Sequence, residues 1–276
     1  MNIANILEEI EKVDGDIYER ISPRRKAMKD FFRIGSKVAI VAAPLGIGSM
    51  LNKAYGQTVP SGVIAVLQYA LTLEHFEYRF YERGLSLAPI PAGAEKTAIE
   101  TIRDSELKHV NFLKTVITGA GATPVSEKTA YDFTAKGTFP TVFTSYATFL
   151  AVAQVLEDTG VRAYKGRAGE LLGQKVYLTA ALGIHAVEAR HAAKIRYMRR
   201  LLGQAPTIKP YITGANDTGI AAVNANYVRE DNVTQAGIVI TNINGQVISA
   251  NSASEAFDEP LTAAEVLALV APFGVS

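Results

Sequence analysis

The chain has 276 residues, 48% hydrophobic and 20% charged, which is enough for one substantial core with further segments around it. Its 28 Lys and Arg residues nearly balance 27 Asp and Glu, so charge argues against nucleic acid or another polyanionic partner. The absence of cysteine excludes disulfides, thiolate metal sites and cysteine nucleophiles. Any metal ion must therefore be bound by oxygen and imidazole.

Residues 1–57 contain a charged stretch, a basic stretch and a short apolar run, in that order. The basic stretch includes the pair Arg24 and Arg25, and the apolar run, residues 38–51, is too short for a stable membrane span. This order resembles a twin-arginine export signal with cleavage near Gln57, which predicts a periplasmic or extracellular protein. The alternative is an ordinary helix packed on the domain of a cytoplasmic protein.

The next segment predicts a pair of helices. A helical apolar period without internal proline predicts one long helix from Ser61 to Leu85, with its end at Gly84. A second helix is predicted from Ala94 to Gly119. Because the connection between them is short, the two helices are expected to be antiparallel neighbours.

A long crossover and a second helix pair follow. Residues 120–140 are rich in Gly, Thr, Pro and aromatic residues and lack a sustained period, which predicts the crossover. A third helix is predicted over about residues 142–172, with Gly160 and Gly166 as weak points. A fourth is predicted over about residues 176–202.

The tail, residues 204–276, shifts in composition to Asn, Thr, Ala and Gly. The dipeptide Asn244-Gly245 predicts the turn of a small hairpin. Near the end, Thr262 and Glu265 form the pattern of a capping box ahead of a short apolar stretch, which predicts a terminal helix. The tail itself carries no evident chemistry, and we expect it to pack on the bundle or to form an oligomer contact.

Two Glu-x-x-His motifs are the first indication of a metal site. They are Glu106 with His109 and Glu188 with His191, and in a helix residues three apart share a face. Each motif can therefore direct a carboxylate and an imidazole to one point. A single motif of this kind also arises on an exposed charged helix face.

The pairing of these motifs with two further glutamates strengthens the hypothesis. Glu74 and Glu157 each lie in an apolar stretch of the first helix of a pair. The separation from Glu74 to Glu106 is 32 residues (106 − 74), and that from Glu157 to Glu188 is 31 (188 − 157). The two halves therefore align at an offset of 83 (157 − 74), which is typical of an internal duplication.

A lone glutamate on each of two helices and a Glu-x-x-His on each of the other two form the ligand set of ferritin-like di-iron and di-manganese proteins. On these motifs, their spacing and the crossover, residues 58–203 resemble the ferritin-like superfamily, in particular the bacterial group related to plant desiccation-related proteins. The resemblance implies an all-α four-helix bundle of two helix pairs joined by the crossover, with residues 204–276 as an irregular extension. The implied metal ligands are Glu74, Glu106, His109, Glu157, Glu188 and His191.

This ligand set suits two divalent cations. The four carboxylates supply about four negative charges, and the two imidazoles leave open positions for water or dioxygen. Without metal, the buried carboxylates would repel each other and lose solvation. Oxygen donors with one nitrogen per metal favour iron, with manganese as the alternative, and zinc could bind adventitiously.

Four other residues are candidates to support the ligands. Tyr81 and Tyr164 also align at the offset of 83, and each follows a lone glutamate by two helical turns, so they are expected to hydrogen-bond ligands, to pass electrons or simply to fill the core. His185 and Glu77 each lie one helical turn from a predicted ligand, although His185 is more typical of a satisfied buried histidine. His75 follows a ligand directly, points away from it and is left out of the site.

The resemblance implies that the metal pair reacts with dioxygen or peroxide, as in an exported ferroxidase-like or oxidative-stress protein. The alternative is a non-catalytic desiccation- or stress-related protein in which the site binds metal for structure or sequestration. An oligomer is compatible with either function. A closed ferritin cage is not expected, because the tail adds bulk around the bundle.

Overall fold

The computed structural model describes residues 59–205, 207–215 and 218–275, so the predicted export segment at 1–57 lies outside the described residues. Its long helices are α1 (Ser61–Leu87), α2 (Ala94–Gly119), α3 (Tyr146–Ala168) and α4 (Lys175–Leu201). The closest packing joins α1 to α2 and α3 to α4, which confirms the all-α bundle of two helix pairs. No helix in the described part of the chain combines the length and apolar character needed to cross a membrane.

The helix ends follow the predictions at α2 and α4 to within one residue, but α1 extends beyond its predicted end. The helix continues through Gly84 to Leu87. A Cβ atom at Gly84 would lie 2.2 Å from the ring of Phe149, so the glycine allows α1 and α3 to pack closely. The prediction that Gly84 ends the helix was wrong because close packing, and not chain termination, requires a glycine there.

The third helix begins later than predicted. Val142 is buried in the turns of the crossover, and α3 starts only after Ser145, whose Oγ accepts a hydrogen bond from the Thr148 amide at 3.3 Å. Serine is a favoured residue at this position because its oxygen satisfies a free amide of the first turn. The regular helix ends at Ala168, and a single 3₁₀ turn over Gly169–Leu171 completes the predicted segment.

Two hydrophobic cores fill the bundle, one toward each end. The aromatic core is built around Phe76, Phe80, Phe133, Phe149 and Phe273. The aliphatic core is built around Val63, Leu67, Leu113, Val116 and Ile117. Both cores draw residues from α1, α2, α3 and α4, so they hold the four helices together on either side of the bundle's middle.

Short elements make up the tail. In chain order they are a 3₁₀ segment (Ala221–Tyr227), strands β1 (Thr234–Gln235), β2 (Ile238–Val239), β3 (Asn242–Ile243) and β4 (Gln246–Val247), helices α5 (Ala250–Ser254) and α6 (Ala263–Val270), and a 3₁₀ turn (Ala271–Phe273). Strands β1 and β2 pair antiparallel, as do β3 and β4.

The predicted hairpin is the second of two. Its turn has Asn244 and Gly245 at φ +53° and +75°, which confirms the Asn-Gly prediction. The first hairpin turns at Ala236 and Gly237, with φ +50° and +81°. Alanine rarely adopts a positive φ, so the sequence carried little signal for this turn.

The predicted capping box is confirmed at α6. The Thr262 amide donates to the Glu265 carboxylate at 2.7 Å, and the Glu265 amide donates to the Thr262 hydroxyl at 3.3 Å. These bonds satisfy amides that a helix start otherwise leaves free. They fix the point at which the chain turns into its last helix.

The tail packs on α3 through a buried arginine. Arg162 donates from Nε to the Glu259 carbonyl at 2.7 Å and from Nη2 to the Val228 carbonyl at 2.6 Å. It also forms an ion pair of 2.7 Å with the buried carboxylate of Glu230. Because one side chain satisfies several tail groups at once, packing on the bundle, one of the two expected roles of the tail, is confirmed.

A second contact between α3 and the tail depends on Gly166. The Leu261 amide donates to the Arg162 carbonyl at 3.2 Å, and a Cβ atom at position 166 would lie 1.8 Å from the Leu261 carbonyl oxygen. The obstacle is main chain, so it cannot move aside by a rotamer change. Gly166 is therefore required for the tail to approach the bundle.

We predict that Gly166→Ala destabilises the protein by about 1–3 kcal/mol, because the tail must shift to admit the methyl group. Thermal unfolding measured by circular dichroism checks this. The matched control is Gly183→Ala in α4, where nothing lies within 4 Å of the added Cβ and a gain of about 0.5–1 kcal/mol is expected. Equal melting temperatures for the two variants would contradict the role assigned to Gly166.

Candidate metal centre

The structure brings the six predicted ligands together in the middle of the bundle. The four glutamates are 0% exposed, and the two histidines are 8% and 7% exposed. Their ligand atoms form two clusters in which all atoms lie within 4.8 Å of one another, namely Glu74, Glu106, His109 and Glu188, and Glu106, Glu157, Glu188 and His191. Glu106 and Glu188 belong to both clusters. Each cluster therefore combines the two shared carboxylates with one lone glutamate and one imidazole.

The clusters lie between the two hydrophobic cores. On α1, Glu74 follows Leu71 of the aliphatic core and precedes Phe76 of the aromatic core. On α4, Ile184 of the aliphatic core and Ile195 of the aromatic core lie on either side of the Glu-x-x-His motif. The same helical period that buries the apolar residues also buries the carboxylates. The site is consequently shielded from bulk water at both ends.

Both imidazoles present Nδ1 to the carboxylates. His109 Nδ1 lies 3.1 Å from Glu74 Oε2, 3.0 Å from Glu106 Oε2 and 3.3 Å from Glu188 Oε1. His191 Nδ1 lies 2.7 Å from Glu106 Oε1 and 3.4 Å from Glu157 Oε2. One nitrogen in each ring thus faces the carboxylate oxygens with which it would share a cation.

Burial and mutual charge perturb the pKa values of these groups. Burial raises the pKa of Glu74 to about 7 against the opposing contacts with His109, and it raises that of Glu188 well above its usual range. Burial acts in the same direction on Glu106, but contacts with the two histidines prevail and lower its pKa to about 2. The adjacent carboxylates overcome the effect of burial on His191 and raise its pKa to about 11. Without a cation, protons must therefore compensate the carboxylate charge.

Several buried atoms of the clusters have no hydrogen-bond partner among the described residues. They are Glu106 Oε1, Glu157 Oε2, both carboxylate oxygens of Glu188, and His191 Nδ1. His191 Nδ1 and Glu106 Oε1 are close, but they are not aligned as a hydrogen bond. Buried polar atoms are normally satisfied, and an ion is one recognised reason for exceptions. The donor set fits a cation in each cluster, because a cation would satisfy all of these atoms.

Two tyrosines hold the lone glutamates in a reciprocal arrangement. The Tyr81 hydroxyl donates to Glu157 Oε1 at 2.5 Å, and the Tyr164 hydroxyl donates to Glu74. Each tyrosine therefore binds the lone glutamate of the other helix pair. Both are also buried in the cores, Tyr81 in the aromatic core and Tyr164 in the aliphatic core. The sequence indicated contact with ligands, but the period of a single helix could not show which glutamate each tyrosine reaches.

The other candidates from the sequence differ in their distance from the site. Glu77 is buried beside the clusters, and burial, followed by the charges of the cluster glutamates, raises its pKa well above its usual range. His185 is half-buried and belongs to neither cluster, and burial lowers its pKa against the opposing charge of Asp258 in the tail. His75 is buried, belongs to neither cluster and lies 3.9 Å from Glu127.

Gly160 is a residue of the site that sequence reasoning missed. It was interpreted as a weak point of α3, yet it lies inside the helix and faces the clusters. A Cβ atom at this position would lie 3.0 Å from Glu188 Oε2 and 3.1 Å from Glu77 Oε1. The signal was present in the internal alignment, because the offset of 83 places Gly160 opposite Glu77 (160 − 77).

A four-helix bundle that buries two lone glutamates and two Glu-x-x-His motifs at one point defines a class of carboxylate proteins able to hold two metal ions. Comparison with known families matches residues 62–201, about half of the chain, to the family described as a ferritin-like domain. The chain belongs to this ferritin-like domain family. Searches of curated proteins and of solved structures found no match for it.

We predict that protein stripped of metal by a chelator becomes less stable as the pH rises from about 4.5 to about 7. A carboxyl whose pKa is raised to about 7 binds its proton more tightly in the folded protein than in the unfolded chain, where the value is near 4.5, so its stabilising effect is lost as the pH rises through this range. The shift at Glu74 corresponds to a loss on the order of 3 kcal/mol.

Denaturant unfolding of the chelated protein at several pH values measures this effect. The stability of the variant Glu74→Gln should depend less on pH, because the glutamine side chain does not titrate. The raised pKa of His191 also makes the folded protein less stable as the pH rises, but at higher pH. The lowered pKa of Glu106 changes the stability only below about pH 4.5. Stability that rises with pH over this range would contradict the prediction.

Proposed function

We propose that the chain is a di-metal carboxylate protein that binds two ions and reacts with dioxygen or peroxide in a ferroxidase-like or oxidative-stress role. The observation that carries the proposal is the sharing of Glu106 and Glu188 between two four-donor clusters. Shared carboxylates hold two cations close together, which is the arrangement used in two-metal catalysis. The proposal also agrees with membership of the ferritin-like domain family.

Iron is the proposed metal, with manganese as the alternative. Each cluster offers three carboxylates and one imidazole nitrogen. Oxygen-rich sites with a single nitrogen suit both metals, and no cysteine is present in the chain to select softer ions. The four glutamates balance two divalent cations, so the loaded site would be close to neutral.

The surrounding residues have separate tasks in this proposal. The bound ions would supply the electrons for reduction of dioxygen or peroxide. Tyr81 and Tyr164 hold the lone glutamates in place through their hydroxyl groups, which limits the orientations that these carboxylates adopt. The aromatic and aliphatic cores exclude bulk water on both sides, which strengthens electrostatic interactions within the site.

Metal analysis and oxygen uptake test the proposal together. Protein purified without a chelator should contain two iron or manganese ions per chain. Aerobic addition of ferrous iron to the stripped protein should consume oxygen faster than the same iron in buffer. Two bound ions without oxygen consumption would favour the alternative, a desiccation- or stress-related protein that uses the site for structure or sequestration.

Variants of the shared glutamates provide the control. Glu106→Ala and Glu188→Ala should each lose both ions, because each removes a donor from both clusters. Glu74→Ala should weaken mainly the ion shared with His109. The exposed residue Glu170, replaced by alanine, should leave the metal content unchanged. Unchanged metal content in Glu106→Ala and Glu188→Ala would contradict the proposed site.

We also propose export to the periplasm or the extracellular space, which rests only on the twin-arginine pattern around Arg24 and Arg25. Mass measurement of the mature amino terminus in the native host tests it. An amino terminus near Gln57 is expected. Detection of the intact first residues in the cytoplasmic fraction alone would contradict export.

A further inference from the structure

Glu77 is a buried acid that the six-ligand site does not use. It is only 4% exposed. It lies on α1, one helical turn after Glu74, and so on the side of the helix that faces the clusters. A carboxylate is costly to bury without a partner. Its position beside a predicted metal pair gives a physical reason for its burial.

The space that Glu77 occupies exists because the opposing helix has a glycine. At Gly160 of α3, an added Cβ would lie 3.1 Å from Glu77 Oε1 and 3.0 Å from Glu188 Oε2. Contacts this short are tighter than ordinary packing, so any larger residue would displace one or both carboxylates. The glycine thus keeps open the gap between α1 and α3 in which Glu77 approaches Glu188.

The internal alignment shows that this arrangement is a difference between the two halves. The lone glutamates, the Glu-x-x-His motifs and the tyrosines all have counterparts in the other half near the offset of 83. Glu77 has Gly160 as its counterpart, so one half provides an acid and the other provides room for it. The extra acid is therefore not a by-product of the repeated pattern.

We propose that Glu77 is a fifth carboxylate donor to the metal pair and that Gly160 is the residue that admits it. This inference rests on the proposed two-metal site. Glu77 belongs to neither four-donor cluster as the side chains stand, so donation requires its carboxylate to turn toward Glu188. The two ions of the pair are then inequivalent, because the acid approaches from one side only.

A fifth carboxylate also bears on the charge of the site. Two divalent ions carry four positive charges, whereas five ionised carboxylates carry five negative charges. The excess negative charge stabilises ions in a higher oxidation state more than divalent ions, because the attraction grows with the charge of the ion. Glu77 therefore stabilises the oxidised form of the pair more than the divalent form, which agrees with a redox function in which dioxygen or peroxide oxidises the ions.

Metal binding to Glu77→Gln tests the proposal, with manganese(II) alone as the probe and the stripped full chain as the protein. Glutamine keeps the size of the side chain and removes its charge. Calorimetric titration should show that the variant still binds two ions, with at least a tenfold loss of affinity for one of them. Gly160→Ala should also weaken manganese binding, because its methyl group displaces Glu77, Glu188 or both, whereas Gly183→Ala, in open space on α4, should bind manganese like the original chain.

Thermal stability separates a donor from a residue that only fills space. If Glu77 is a donor, Glu77→Gln should raise the melting temperature of the stripped protein, since one buried acid is removed. The same variant should show a smaller rise in melting temperature when manganese is added. A lower melting temperature in both forms, with unchanged manganese affinities, would overturn the proposal. If the original chain binds two ions and Glu77→Gln binds them equally well, this inference alone fails. If the original chain binds no pair, the proposed function fails with it.

Discussion

The structure depends on one electrostatic constraint, which is the burial of four glutamate side chains at a single point between two apolar cores. Ionised carboxylates lose solvation there and repel one another, so the folded chain needs positive charge in the middle of the bundle. Two imidazoles supply part of it, and the raised pKa values of Glu74 and His191 show protons in the same role. Metal cations would meet the requirement more completely, because each cluster offers four donors to one ion.

The sequence was sufficient to predict the bundle and the convergence of its six candidate ligands. Helical period placed the four long helices, and the near-equal spacing of Glu74 to Glu106 and Glu157 to Glu188 linked two weak motifs into one hypothesis. Both kinds of signal are local or repeat along the chain. That is why they can be recognised without knowledge of the tertiary structure. The capping box at Thr262 and the turn at Asn244 are local in the same sense.

What the sequence did not predict depends on contacts between distant segments. Glycine ends many helices, so Gly84, Gly160 and Gly166 suggested ends or weak points, whereas all three lie inside helices that pack closely on another segment. The partner of each tyrosine depends on how the helix pairs face each other. Similarly, Arg162 resembles its counterpart Arg79 in sequence, and only the fold shows that it binds the tail while Arg79 binds Glu127 in the crossover.

Arg79 and Arg162 bind the segments that follow their own helix pairs, and Tyr81 and Tyr164 each bind a glutamate of the opposite pair, so the contacts of these four residues follow a two-fold symmetry. Glu77 and Gly160 break that symmetry at equivalent positions. A bundle assembled from two identical helix pairs would have to place either two acids or two glycines there. Because both pairs are encoded in one chain, their sequences can differ, and the centre can hold an acid on one side and, on the other, the glycine that makes room for it.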